Sequence, residues 1–367
     1  MSSIAGHLVR RGTELAAAHF KDPEKQPQQI SGALAATLIV TIVVFTLSMW
    51  AVEYTYGGVV ATLAAVEDSN PDVYVRIDNP PEDDPTKPFN PNEPEHADLS
   101  PRLQPVTSKL RTTIKHLRAR AGFWSRFRGF AMYATYAMAR GILAGFMPVP
   151  KGSFIGQFVV QSIISLLLAT WQMAWVHIVI SEPSPRRFYQ RIPSFRTWIK
   201  IAPAAALEDI LTAAAFFFPM AIASFAGWIE SNNDSENTIV VMSRYIMVMG
   251  IPALLALIIS IPARVIFIRV AASMLPEEDE TIVPFDRSFG GKVQPQIVGG
   301  SGHIGLLDAW TTFDWAARVR FAKVLGKTIA IELALGLLLG ILVFVQIFTL
   351  APKAIHNGDG SGKPSTA

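Results

Sequence analysis

Charged side chains inside long apolar runs are the residues of this chain whose types and positions could do chemistry. They are Arg140, Glu208, Asp209, Arg244 and Glu332, joined by His177 near the end of a run. A charge near the centre of a bilayer costs about 2.5 to 3.5 kcal/mol even on permissive scales, so each group needs a partner, a cavity or water. The pattern therefore predicts a polar site near the midplane of a membrane.

We predict that this site binds a small anionic solute through Arg140, Asp209, Glu208 and Glu332. Arg140 would hold the anion, because a guanidinium is a planar fork of donors rather than a point charge. Glu332 or Asp209 would form an ion pair with Arg140 when the site is empty. The alternative is that the same groups only bridge neighbouring spans, or that Arg244 and Asp209 extend towards the interface.

Motifs of enzyme chemistry are absent from the sequence. There is no His-Glu-x-x-His and no Walker glycine loop, and Gly300-Ser301-Gly302 lacks the spacing of a nucleophile elbow. The acidic run Glu277 to Glu280 is typical of a solvated surface rather than of a cation site. The chain has no cysteine, which excludes thiolate metal sites and cysteine nucleophiles. We therefore predict that the protein is not an enzyme and that it has no catalytic residue, no metal site and no cofactor.

Long apolar runs must position the charged residues. The chain has 367 residues, of which 50% are hydrophobic and only 17% are charged. About 20 apolar residues in a helix cross a hydrocarbon core of roughly 30 Å. The predicted spans are residues 33–52, 129–149, 154–180, 203–229, 239–270 and 328–350. The predicted fold class is all-α, a polytopic membrane protein with six transmembrane helices in three two-helix units plus amphipathic helices. Small residues at four-residue spacing, such as Gly141 and Gly145, indicate close helix packing.

The three predicted units each combine a span, a basic segment and a second span. They cover residues 32–149, 150–230 and 231–350, between an N-terminal tail, 1–31, and a C-terminal tail, 351–367. The tail 1–31 has either the character of a mitochondrial targeting helix or that of an ordinary cytosol-like tail.

Two loops are predicted to be irregular. Residues 67–105 contain nine prolines and many acidic residues, so this segment cannot bury enough apolar surface to fold and is predicted to be a disordered linker. Paired glycines predict a mobile loop over residues 275–303. The short apolar piece Gly57–Val66 cannot cross a membrane again and is expected at the interface, as an extension of the first span.

Two segments show an apolar stripe at helical spacing with basic residues beside it. In residues 106–121 the stripe is Val106, Leu110, Ile114, Leu117 and Ala121. In residues 305–325 it is Leu306, Trp310, Phe313, Ala317, Phe321 and Val324. Both are predicted to be helices on the basic side that lie on a membrane surface, where their bases would meet anionic lipid.

The distribution of Lys and Arg predicts the orientation. With six spans, loops one, three and five hold 20 of these residues, and the tails and remaining loops hold seven. Because Lys and Arg concentrate on the cytosolic or matrix side, both termini are predicted to lie opposite the basic loops.

Certain motifs resemble those of the mitochondrial carrier family. Phe127-Arg128-Gly129 is similar to the aromatic, basic, glycine motif that opens the even-numbered helices of carriers, and Pro183 and Pro262 fall where their odd-numbered helices kink. Two residues beyond these prolines, where the family has an acidic residue, this chain has Pro185 and Arg264. The resemblance covers about residues 32–350 at the level of architecture and implies a divergent member or relative of the family.

The leading functional hypothesis is a carrier-like protein that transports a small anionic solute across a mitochondrial membrane, with another organelle membrane as the alternative location. The alternative function is a non-transporting membrane scaffold or adaptor that binds lipid head groups or soluble partners. The expected partners are membrane lipids, anionic lipids among them, and a small solute, but no nucleic acid.

Overall fold

The computed structural model describes residues 32–69, 104–148, 153–228, 238–294 and 299–358. Within these ranges the chain is helical and forms no strand, apart from one isolated bridge between Ser181 and Thr281. The all-α prediction is therefore confirmed. The predicted N-terminal tail and most of the predicted linker lie outside the described residues.

Ten α-helices follow one another in the described residues. They are α1 (Gly32–Val52), α2 (Ala61–Val66), α3 (Leu110–Ala121), α4 (Phe130–Phe146), α5 (Phe154–Leu167), α6 (Ala169–Ile180), α7 (Phe195–Phe225), α8 (Thr238–Ser273), α9 (Leu306–Thr311) and α10 (Trp315–Gly358). A π-helical segment, Glu53–Val60, joins α1 to α2 without a break. Short 3₁₀ turns cover Val106–Ser108, Phe123–Phe127 and Phe188–Arg191.

Four described helices are long and apolar enough to cross a membrane: Gly32–Val66, Phe195–Phe225, Ile246–Ser273 and Trp315–Thr349. The count becomes five if α5 and α6, which bend by 57° at a short break, form one span. The second predicted span forms only the 17-residue helix α4. The fold is that of a multi-pass helical membrane protein.

The chain divides into two units. The small unit is Met1–Trp50 with Ile331–Ala367, and the large unit is Ala51–Ala330. In the small unit the amide of Gln346 donates a hydrogen bond to Thr41 Oγ1 at 2.7 Å, which joins α10 to α1. Large apolar side chains such as Leu47 and Leu337 stay exposed on both helices. A helix satisfies its own backbone in lipid, so this apolar surface suits a bilayer.

The most deeply buried stretch of the large unit is the one that continues α1. Every residue from Gly57 to Glu67 is buried, and the stretch packs against α6 and α8. The first span is extended here as predicted, but the expected interfacial location is wrong, because protein rather than lipid head groups surrounds the segment.

Both predicted amphipathic segments direct their apolar stripes into this core. Leu117 of α3 is fully buried, as are Phe313 and Phe321 of the second segment. The prediction that lipid would cover these stripes is therefore wrong, because the core of the large unit covers them. The second segment is also not one helix: it breaks at Thr312–Asp314, and α10 then continues without interruption into the last predicted span.

Loop five, which is predicted to be mobile, contributes apolar side chains to the core. Ile282, Val283, Phe285 and Phe289 are buried in the core of the large unit. The carboxylate of Asp286 accepts hydrogen bonds from the backbone N–H groups of Ser288 and Gly290, at 2.8 and 2.6 Å. These contacts form a turn at residues 286–290, and the mobility of the loop stays a prediction.

Candidate functional site

Three of the four predicted binding residues lie in the large unit, on two of its helices. Arg140 lies on α4, and Glu208 and Asp209 lie on α7. Glu332 belongs to the small unit, so its pairing with Arg140 stays a prediction.

The guanidinium of Arg140 meets an amide from the neighbouring helix α5. With the amide of Gln161 turned so that its oxygen faces the arginine, that oxygen accepts a hydrogen bond from Arg140 Nε at 2.6 Å and another from Nη2. Arg140 follows Gly129 by 11 residues, about 16 Å along a helix at 1.5 Å per residue. The charge therefore lies far from the start of α4 and is held by a neutral partner.

Asp209 brings a negative charge to the same place. Its carboxylate lies within electrostatic reach of Arg140 and close to the hydroxyl of Ser165 on α5. The guanidinium of Arg140 is within this electrostatic reach, but no ion pair joins it to Asp209 among the described residues, so the predicted pairing stays a prediction.

The bend between α5 and α6 lies near these side chains. Gln172 of α6 donates a hydrogen bond to the hydroxyl of Tyr136 on α4 at 2.7 Å. Tyr136 in turn lies within electrostatic reach of Arg140 and Asp209. Four helices, α4 to α7, therefore converge on one polar cluster.

The break in the helix is itself held by a side chain. The indole of Trp198, on α7, donates a hydrogen bond to the carbonyl of Leu166 at 2.8 Å, just before the bend. A carbonyl at a helix end lacks its usual intrahelical partner, so this contact satisfies it. The bend is therefore part of the fold rather than a loosely held joint.

Four buried polar atoms of this cluster make no hydrogen bond to any described residue. They are Ser165 Oγ, Gln172 Oε1, Asp209 Oδ2 and Thr212 Oγ1. More than nine in ten buried polar groups in proteins have a partner, because an unpaired one costs about 1 to 3 kcal/mol. Ser165 lies close enough to Asp209 and Tyr136 to interact with both, so part of the cluster can pair within the protein. Gln172 Oε1, and Thr212 Oγ1 three residues along α7 from Asp209, are the atoms left for water or a polar solute.

Glu208 and His177 interact with α8. Glu208, next to Asp209 in sequence, is within electrostatic reach of Arg264 on α8 and also of Asp209. The charge of Glu208 therefore interacts both with α8 and with the cluster. The buried imidazole of His177 contacts the carbonyl oxygen of Ala271 at 2.8 Å and so links α6 to α8.

The motif Phe127-Arg128-Gly129 joins α4 to α6 and to the end of α1. The hydroxyl of Tyr54 donates to the carbonyl of Arg128 at 2.5 Å. The guanidinium of Arg128 donates to the carbonyl of Ile178 at 3.1 Å and to that of Ser181. Burial lowers the pKa of Arg128 to about 10, so the side chain stays charged at neutral pH. These motif residues support the fold and do not enter the polar cluster.

The two motif prolines occupy unlike positions. Pro262 lies inside α8, whereas Pro183 lies beyond the end of α6 at Ile180. Pro183 therefore lies outside the helix, as the predicted span 154–180 places it.

The buried carboxylate of Glu67 connects the two ends of the predicted linker. The sequence does not predict this contact. Glu67 accepts hydrogen bonds from the backbone N–H groups of Val106 and Thr107, at 2.5 and 2.9 Å. The backbone carbonyl of Glu67 accepts a hydrogen bond from Arg320 at 2.6 Å. Arg320 follows Ala317 by three residues and therefore lies on the buried face of α10. A basic residue on this apolar face is the sequence signal that predicts a buried partner for Arg320.

The acidic run Glu277 to Glu280 is not simply solvated. Glu278 forms an ion pair with Arg186 at 2.5 Å, and Asp279 forms one with Arg191 at 2.8 Å. Since the second pair is largely buried, this run joins loops three and five.

Known proteins give no guide to this site. The chain matches no protein-family model, no curated protein and no solved structure. The class that the fold defines is a multi-pass helical membrane protein, and any assignment of function must come from the site.

Proposed function

We propose that this protein is carrier-like and that it binds a small anionic solute between α4, α5, α6 and α7 and moves it across the membrane. The observation that supports the proposal is the set of four unpartnered polar atoms beside Arg140 and Asp209. A cluster that served only to join the helices would be expected to pair all of its polar atoms, whereas here only Ser165 is close to such partners, Asp209 and Tyr136.

In this proposal the chain crosses the membrane six times, as three pairs of helices. The helix α4 would form the second crossing, and α5 with α6 would form the third. Both termini would lie opposite loops one, three and five, because those loops carry most of the Lys and Arg. The architecture-level resemblance to mitochondrial carriers supports a mitochondrial membrane as the location, with another organelle membrane as the alternative.

Substitutions of Arg140 test the proposal. Purified protein would be screened by thermal shift against small anionic metabolites, and the compounds that raise its stability would be tested for uptake into proteoliposomes. We expect Arg140→Leu to stay folded and to lose both responses, and Arg140→Lys to weaken them, because a fork of donors becomes a point charge. Glu280→Gln, at an exposed carboxylate of loop five outside the cluster, is the control and should keep both responses. Unchanged uptake by Arg140→Leu would contradict the proposal.

The alternative function is a scaffold that binds anionic lipid, and the exposed face of α3 supports it. Arg111, Lys115, Arg118 and Arg120 are all exposed there. Each base near an anionic membrane surface contributes about 1 kcal/mol of attraction. A scaffold of this kind would be more stable in nanodiscs with anionic lipid than in neutral ones, and Arg111→Gln with Lys115→Gln would reduce the difference. Arg140→Leu would leave that difference unchanged.

A further inference from the structure

The polar cluster contains one fixed charge of each sign. Arg140 is held by the amide oxygen of Gln161, and Asp209 lies within electrostatic reach of the guanidinium. A solute that carries only a negative charge would be repelled by Asp209, and a bare cation would be repelled by Arg140. The pair of charges therefore favours a ligand that has both.

The unpartnered atoms specify the chemistry further. Asp209 Oδ2 as a carboxylate and Gln172 Oε1 as an amide oxygen can only accept hydrogen bonds. The hydroxyls of Ser165 and Thr212 can accept or donate. A ligand that satisfies the cluster must therefore bring several hydrogen-bond donors to the side of Asp209, and a primary ammonium group has three.

We propose that the solute is a small zwitterion with a primary ammonium and a carboxylate group, the chemical class of the amino acids. Its ammonium donates to Asp209 and Gln172, and its carboxylate accepts from Arg140. This inference rests on the proposed transport function and changes the proposed solute from an anion to a zwitterion whose carboxylate Arg140 binds. The loaded site then carries no net charge, so a neutral ligand is bound in a setting where an isolated charge is costly.

Size-matched compounds separate the two charges of the ligand. The purified protein is tested by thermal shift with each common amino acid, with the carboxylic acid that lacks its amino group, and with the amine that lacks its carboxylate. L-Alanine, propionate and ethylamine form one such set. We expect at least one amino acid to raise the melting temperature at a concentration at which neither of its fragments does.

Variants assign the ammonium to its partner. Asp209→Asn should weaken the apparent affinity for the amino acid at least tenfold, since a charge-assisted hydrogen bond becomes a neutral one. It should leave any response to the matching carboxylate unchanged or increased. Glu280→Gln, which neutralises an exposed carboxylate of loop five, is the control and should keep the amino-acid response. If Asp209→Asn does not fold, Gln172→Met tests the binding of the ammonium group instead, because it removes an acceptor and conserves volume.

The outcomes distinguish this inference from the function on which it rests. A carboxylate that stabilises the protein as well as its amino acid does would overturn the zwitterion and leave the anionic solute in place. An amine that stabilises best would overturn both. If no amino acid has an effect, the inference is wrong, while a response to another anionic metabolite would still support a carrier.

Discussion

Gly129 shows how one residue positions the start of α4. Its φ is +71°, in the left-handed region that favours glycine, and a Cβ added there would lie 3.0 Å from Trp175 Cδ1. Gly141, in the middle of the same helix, differs in both respects, because a Cβ there meets no atom within 4 Å. The close packing predicted at Gly141 and Gly145 is therefore wrong for the described residues of the fold.

Alanine at these two glycines should have opposite effects. Gly129→Ala should lower the free energy of unfolding by about 1 to 3 kcal/mol, because it forces a strained backbone and crowds Trp175. Gly141→Ala should be neutral or raise it by up to about 1 kcal/mol, since alanine is the better helix former. Thermal denaturation in detergent measures both, and equal effects would show that α4 begins differently.

The sequence identified only the two charged residues of the candidate site. Arg140 and Asp209 could be predicted because a charge in an apolar run is costly and stands out at once. Gln161, Ser165 and Gln172 could not, since neutral polar residues are common in spans and follow no spacing that marks a site. Only the folded arrangement of four helices shows that these side chains face the two charges.

At the scale of elements, the sequence contains a signal for the helix break before α10 that the predicted single helix overlooks. The carboxylate of Asp314 accepts a hydrogen bond from the backbone N–H of Ala317 at 3.2 Å, as a helix N-cap does. The regular apolar spacing from Trp310 to Val324 concealed this signal, because both helices contribute to one buried face. The deep burial of Gly57–Val66 could not be predicted, since a short apolar run suits a lipid interface equally well.

The turn at Asp286 should make the stability of loop five depend on pH. Burial opposes ionisation, but hydrogen bonds from Ser288 and Gly290 outweigh it and hold the pKa of Asp286 below its usual value. An acid whose pKa falls on folding stabilises the protein above its unfolded pKa of about 3.9, and loses that contribution as pH falls through the folded value.

Replacement of this carboxylate tests the turn. Asp286→Asn should cost about 0.5 to 1 kcal/mol at pH 7, a modest value because solvent screens a half-exposed group. The difference from the unchanged protein should shrink below about pH 4. Thermal melts over pH 3 to 7 measure it, with Glu280→Gln, an exposed carboxylate of the same loop, as the control. A difference that is constant across this range would exclude the ionised turn.

At the scale of the whole molecule, contacts among the three basic loops build one face of the large unit. Arg120 of loop one pairs with Glu182 of loop three at 2.5 Å, and Arg191 of loop three pairs with Asp279 of loop five at 2.8 Å. The ring nitrogen Nε2 of His116 contacts the carbonyl oxygen of Ile282 at 2.9 Å, which links loops one and five. In the proposed six-span arrangement, these contacts are the ones expected of three loops that share one side of the membrane.

Both termini should then lie on the other side. Tags at the N- and C-terminus would be tested for protease protection in sealed vesicles of known orientation. We expect both tags to behave alike and opposite to a tag in the segment 70–103 of loop one. Tags that report opposite sides would require an odd number of spans and would remove the three-pair arrangement.

The central claim is that the cluster around Arg140 and Asp209 is a polar site open to solute rather than a dry helix contact. Because the chain has no cysteine, single substitutions can be labelled without background. Thr212→Cys should react in membranes with a water-soluble thiol reagent, and a bound solute should slow the reaction. Ile142→Cys, whose native side chain is 56% exposed on α4 and would face lipid, should not react. Thr212→Cys that is as unreactive as Ile142→Cys would contradict the account.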